Sequence, residues 1–158
     1  MKDQTINKLE TAFKNYYLKR TIILNVDSFK TNNIALTKAL SSGEKIICYV
    51  QKGAFTSCAL RLMQDLSILE EEIGRNHTII ATNIGEKNYP LEFPDFDFPT
   101  VFVETFYFPD DFSQEPIVFV CDSLMNIKLF YLPETFPQFR KQYFNEYLPA
   151  YFEISKAP

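Results

Sequence analysis

The sequence predicts an α/β domain of three layers, with helices on both faces of a mixed central sheet. Three observations carry that prediction. Lys45–Val50 (KIICYV) and 77–83 (HTIIATN) are apolar runs of strand length, and the residues between them have helical periodicity. A strand–helix–strand of that spacing implies a right-handed parallel crossover. Ile117–Cys121 (IVFVC) and 127–132 (IKLFYL) flank a polar turn and read as an antiparallel hairpin with a loop longer than two residues. With 158 residues the chain can bury a real core as one domain.

Taken in order, 3–19 places Ile6, Leu9, Phe13, Tyr16 and Tyr17 at helical intervals, which makes 1–19 an N-terminal helical extension. The β-branched run 21–26 (TIILNV) reads as a strand, followed by a polar turn. Ile34–Leu40 is a short segment of one or two helical turns, closed by Ser41, Ser42 and Gly43. After the strand Lys45–Val50 comes a small polar loop, 51–57. From Cys58 the residues Leu60, Met63, Leu66 and Leu69 fall at intervals of three, with Leu62 and Ile68 widening the apolar face. Gly74 is the expected helix stop.

The stretch 86–112 is an insert with Pro90, Pro94, Pro99 and Pro109, which exclude a long helix; 100–104 (TVFVE) has the composition of a short strand. Two readings of its rings and acids stand. It is an irregular connection whose aromatics cover the core, or an aromatic, acidic rim that contacts a partner. At the far end, Phe136, Phe139, Tyr143, Phe144 and Tyr147 predict an amphipathic helix over 134–147 that stops before Pro149. The domain spans 20–154, and 155–158 is a tail.

Composition removes several function classes. A net charge of −4 gives no basic footprint, so nucleic acid is not an expected partner. One His and three Cys without metal-ligand spacing leave no expected metal or cofactor. No apolar stretch reaches the roughly 18 residues of a membrane span, and the first residues carry no signal-peptide pattern. A removed leader would leave the same sequence, so a cytosolic and an exported location both stay open.

Cys58 is the residue with chemical interest. A thiol in the first turn of a helix meets free backbone N–H groups and the positive end of the helix dipole, which favour the reactive thiolate. The bland reading is a small half-buried side chain that starts a helix. Cys48 and Cys121 lie inside apolar strands and read as core.

The element order, with a helix-initial Cys after a buried strand and Pro116 before a later one, resembles a thioredoxin fold over roughly residues 20–148. More narrowly, 33–58 (NIALTKALSSGEKIICYVQKGAFTSC) resembles the exported TlpA-like branch of thiol-disulfide oxidoreductases. Members have an apolar leucine-containing segment, a turn like Gly-Lys, a buried strand and a C-x-x-C opening a helix. Here that motif falls on Phe55-Thr56-Ser57-Cys58. Phe55 stands in the place of the attacking cysteine, Cys58 in that of the resolving one, and Ala54 replaces the aromatic residue before the motif. The resemblance places Pro116 at the family's cis-proline. Other chemistries fit less well. A peroxiredoxin pattern would need Pro and Thr where Gln51 and Phe55 stand, and a monothiol glutaredoxin keeps the cysteine that is missing here. A papain-like pair would have to recruit His77. Carboxylate pairs drawn from Glu92, Asp95, Asp97 and Glu104 have no fixed geometry.

What the resemblance implies is a redox-degenerate thioredoxin-like domain without dithiol–disulfide exchange. It would bind an extended peptide or another protein beside Glu115 and Pro116, with Phe55, Thr56 and Ser57 lining the contact. Phe106, Tyr107 and Phe108 would extend that surface. The alternative is a monothiol oxidoreductase or redox sensor acting through Cys58. Exported relatives would imply an extracytoplasmic or membrane-tethered site.

Overall fold

A computed structural model describes residues 22–23, 34–53, 56–103, 115–124 and 126–156. Among these residues six strands form one mixed sheet: β1 (Ile22–Ile23), β2 (Lys45–Val50), β3 (Thr78–Thr82), β4 (Thr100–Phe102), β5 (Ile117–Cys121) and β6 (Asn126–Tyr131). Their order across the sheet is β1-β6-β5-β2-β3-β4. β2 pairs parallel with β3, as the crossover predicts, and β5 pairs antiparallel with β6 as the predicted hairpin; β2 also pairs antiparallel with β5. β4 adds parallel to β3 at one edge, and β1 antiparallel to β6 at the other. The predicted extension 1–19 and most of the strand 21–26 lie outside the described residues.

The strand β2 shows why the sequence alternates nowhere. Ile46, Cys48 and Val50 point to one face, Ile47 and Tyr49 to the other, and all five are buried. A central strand covered on both faces carries a continuous apolar run. On the first face lies α2 (Thr56–Ile73), whose Ala59, Leu62, Met63, Leu66, Leu69 and Ile73 are buried. Ile68, expected on that apolar face, is 65% exposed instead. It stands about 100° round the helix from Leu69, beyond the stripe the sheet covers. Gly74 ends the helix as expected: it has φ +103°, and its N–H donates to the Glu70 carbonyl at 2.9 Å. The second face holds α1 (Ile34–Leu40), with Leu36 and Leu40 against Ile47, Tyr49, Phe119 and Phe130.

The described part of the insert contains a short helix the sequence reading did not anticipate, α3 (Tyr89–Glu92), with Pro90 in its first turn. Proline is tolerated there because that N–H has no intrahelical partner. Tyr89 and Phe93 are buried in the first core, and Phe96, Phe98 and Phe102 pack half-buried against it. In this part the rings cover the core.

The C-terminal helix departs from its expected end. Pro137–Phe139 is a 3-10 turn, α4 (Arg140–Gln142) follows, then a π turn (Tyr143–Tyr147) and α5 (Leu148–Lys156). Pro149 does not stop the chain, and the helix runs past 154 into the predicted tail. In the π turn the Leu148 N–H reaches back five residues to the Tyr143 carbonyl. Pro149 then falls in the first turn of a new α segment, where its ring and missing N–H are tolerated. Tyr143, Phe144, Leu148 and Phe152 join α2 in the first core.

A bulge in β6 sets the faces of the last strand. Val118 pairs with Tyr131 and Val120 with Lys128, so Phe119 faces two residues, Leu129 and Phe130. Leu129 takes φ +51°, a left-handed conformation unusual for a bulky side chain. The extra residue shifts the parity. Ile127 and Phe130 pack on the second face, while Tyr131 turns to the first.

Candidate functional site

The candidate site lies where β2 ends and α2 begins. The backbone N–H of Lys52 donates to Asn83 Oδ1 at 2.5 Å, tying the 51–53 loop to the end of β3. Thr82, fully buried, donates its hydroxyl to the Val50 carbonyl at 2.7 Å and accepts the Ile84 N–H at 3.1 Å. These bonds fix the exit of β2, and α2 starts three residues beyond Gly53. Thr56 and Ser57 are exposed in its first turn, and Cys58 is half-buried. Phe55 and Ala54 lie outside the described residues, as do Glu104, Phe106, Tyr107 and Phe108.

The thiol of Cys58 is not poised as the helix dipole alone predicts. Burial pushes it up, and the Glu134 carboxylate, which accepts its hydrogen bond, pushes it further; Ser57 and Arg140 act in the opposite direction without prevailing. A negative charge beside sulfur disfavours a second one. The expected thiolate is therefore replaced by a protonated thiol. Cys48 and Cys121 are pushed up to about 12, both by burial first, with Asp122 adding to Cys121. All three cysteines are free. Cys48 and Cys121 face opposite cores, which places the sheet between them.

Glu134 belongs to the loop between β6 and the 3-10 turn, and this loop joins the two halves of the predicted site. Thr135 donates its hydroxyl to Glu115 Oε1 at 2.6 Å. Tyr131, buried in the core, donates to the Phe136 carbonyl at 2.7 Å. Cys58 and the Glu115–Pro116 segment are thus held to one short loop. Pro116 is buried and Glu115 half-buried. Among the described residues no peptide is cis, so Glu115–Pro116 is trans, against the cis bond the resemblance implies. Trans is the preferred isomer of an X–Pro bond by about 0.5–1 kcal/mol, and β5 pairing begins with Ile117 opposite Tyr49, directly after Pro116.

Behind Cys58, Arg140 Nε donates to Asp65 Oδ2 at 2.5 Å, with the Arg140 side chain 11% exposed. Its Nη2 is buried without a partner. Asp65, Glu134, Thr135 and Arg140 were invisible as site residues in the sequence, because their partners lie far along the chain, 75 positions apart for Arg140 and Asp65, and no local spacing encodes them.

A second polar cluster sits at the opposite end of the sheet. Tyr151 donates to Glu44, Lys128 donates to Glu44 Oε1 at 3.2 Å, and Lys128 lies 3.8 Å from Asp122. It fastens α5 to the strand ends. His77 is also structural: Nδ1 lies 2.9 Å from the Gly74 carbonyl, and the ring meets Phe152 edge-on at 5.2 Å. It precedes β3, so the length of α2 separates it from Cys58, which leaves no Cys–His pair.

Among the described residues no group of three His, Cys, Asp or Glu side chains is arranged to hold a metal ion. No helix there is long and apolar enough to cross a membrane. Fold and site define an α/β domain with a mixed sheet and a half-buried thiol at a helix start. Comparison with family models, curated proteins and solved structures finds no match.

Proposed function

We propose that the chain is a thioredoxin-like domain that has lost dithiol chemistry and serves as a peptide- or protein-binding module. The observation that carries this reading is that Cys58, at the resolving position of the resemblance, has no partner sulfur: all three cysteines are free, and Cys48 and Cys121 are buried in opposite cores. Phe55 in place of the second sulfur supports it. The fold reading draws support from the order β6-β5-β2-β3, with its parallel crossover and antiparallel hairpin. It draws further support from α2 and α5 on one face and α1 on the other. Two features depart from the family pattern: the trans bond before Pro116 and the β4 edge strand contributed by the insert. The bound segment would lie along Glu115 and Pro116, beside Thr56 and Ser57, where main-chain hydrogen bonds provide base affinity.

Insulin reduction with dithiothreitol tests the loss of exchange chemistry. Turbidity should develop no faster than in buffer, and a Cys58-dependent acceleration would overturn the reading. The motif alignment has its own test. Phe55→Cys should convert both sulfurs at positions 55 and 58 to a disulfide on mild oxidation, and a folded F55C protein that keeps two free thiols there defeats it. A second reading, a monothiol oxidoreductase or sensor, rests on one fact: Cys58 is half-buried while Cys48 and Cys121 are buried.

A further inference from the structure

Among the described residues one edge of the sheet is open. β4 pairs with β3 alone and stands last in the strand order. Its pairing uses every second residue: the Ile80 N–H donates to the Pro99 carbonyl at 2.9 Å, and the Val103 N–H to the Thr82 carbonyl at 2.8 Å. Residues 99, 101 and 103 thus turn their backbone groups toward β3. In an extended chain Thr100 and Phe102 then turn theirs away from it. Pro99 does not blunt this edge, because its missing N–H belongs to the inner side. The outward row starts at Thr100, since the Phe98 carbonyl before it accepts the Thr100 hydroxyl at 3.0 Å.

The edge is aromatic on one face and acidic along its approach. Phe98 and Phe102 are half-buried against the first core, which leaves part of each ring uncovered. Glu92, Asp95 and Asp97 are exposed in the segment that leads into β4. Arg75 lines a hollow with Asp97, yet the ion pairs among described residues include none of these acids. The sequence holds no Lys or Arg between Lys87 and Lys128. Such a rim disfavours a second copy of the chain, whose own β4 arrives with the same charges.

We propose that β4 takes up an extended segment of another protein, one bearing Lys or Arg, as an added strand of the sheet. The main chain of that segment bonds the outward N–H and C=O groups of Thr100 and Phe102. Its apolar side chains lie beside Phe98 and Phe102, and its cations meet Glu92, Asp95 and Asp97. β2 and β3 separate this edge from β5 and the Glu115–Pro116 segment, so the assignment does not depend on the peptide-binding reading there.

The test titrates the isotope-labelled chain with a capped hexapeptide of alternating lysine and valine, followed at the amide signals of Thr100 and Phe102. A glutamate–valine peptide of the same length and a lysine–valine peptide N-methylated at every residue, which cannot donate, run in parallel. The lysine–valine peptide should give saturable shifts at both amides, and its affinity should fall as salt is raised. Each control should bind about tenfold more weakly or worse. Asp95→Asn combined with Asp97→Asn should weaken the lysine–valine peptide by about threefold. Absence of saturable shifts, equal binding of either control, or unchanged affinity in the double variant overturns the proposal. Shifts at Ser57 and Glu115 instead of Thr100 and Phe102 overturn it while supporting the other site. Two results in the free protein overturn it as well: shifts that grow with protein concentration, which reveal a second copy on the edge, and Thr100 and Phe102 amides already protected from exchange, which reveal a covered one.

Discussion

At the residue scale, Cys58 shows how a neighbour can override a helix terminus. The dipole favours thiolate, yet burial and Glu134 together hold the proton on sulfur. Glu134→Gln removes the opposing charge and should speed alkylation of Cys58 by iodoacetamide near neutral pH by about threefold. An unchanged or slower rate would show that Glu134 does not control the thiol. In the native protein only Cys58 should be labelled, because Cys48 and Cys121 are buried and pushed up to about 12; mass spectrometry counts the modified thiols.

Asp122 presents the opposite case. Burial opposes its charge, but the N–H groups of Asn126 and Leu124, the Asn126 side chain and Lys128 outweigh it and lower its pKa. Its folded value lies below its unfolded one, so its contribution to stability is present above about pH 3.9 and is lost as pH falls toward the folded value. Asp122 Oδ1 accepts the Leu124 and Asn126 N–H groups at 2.9 and 3.0 Å, holding the hairpin turn. Asp122→Ala should cost about 1–2 kcal/mol at pH 7. The gap to wild type in urea unfolding should narrow below about pH 4, and a gap that persists there would contradict the assignment.

At the scale of elements, the bulge in β6 carries the most specific expectation. Leu129 is half-buried against the first core and has a left-handed backbone, and its carbonyl accepts the Tyr143 hydroxyl at 2.6 Å. Ala and Gly at this position lose the same packing, but only Gly is relieved of the left-handed strain. Leu129→Gly should therefore be more stable than Leu129→Ala by about 1 kcal/mol, the reverse of the usual order in a strand. Thermal unfolding of the two variants decides it. The turn chemistry of Gly74 could be read in the sequence, since a glycine after an apolar helix is a local signal. The bulge could not, because it is set by the pairing of β6 with β5 and not by any glycine in the run NIKLFY.

At the scale of the whole molecule, the sheet separates two cores. Leu62 packs beneath α2 in one, and Phe130 packs opposite α1 in the other. Leu62→Ala and Phe130→Ala should each cost about 3 kcal/mol. With the sheet between them, the double variant should lose the sum within about 0.5 kcal/mol, measured by urea unfolding. A larger coupling would mean that the two layers share more than the backbone of β2 and β5.

The sequence by itself determined the mixed α/β class, the bounds of β2 and β5, the stop at Gly74, the parallel crossover and the core places of Cys48 and Cys121. Each follows from a local signal: an apolar run, a helical period or a glycine. Tertiary structure alone decided that Ile68 faces solvent, that the helix passes Pro149, and that the bond before Pro116 is trans. It also brought Glu134 to Cys58, so that a helix-terminal thiol keeps its proton. These outcomes depend on which distant groups meet, and a one-dimensional pattern does not record the charge or the packing that a neighbour brings.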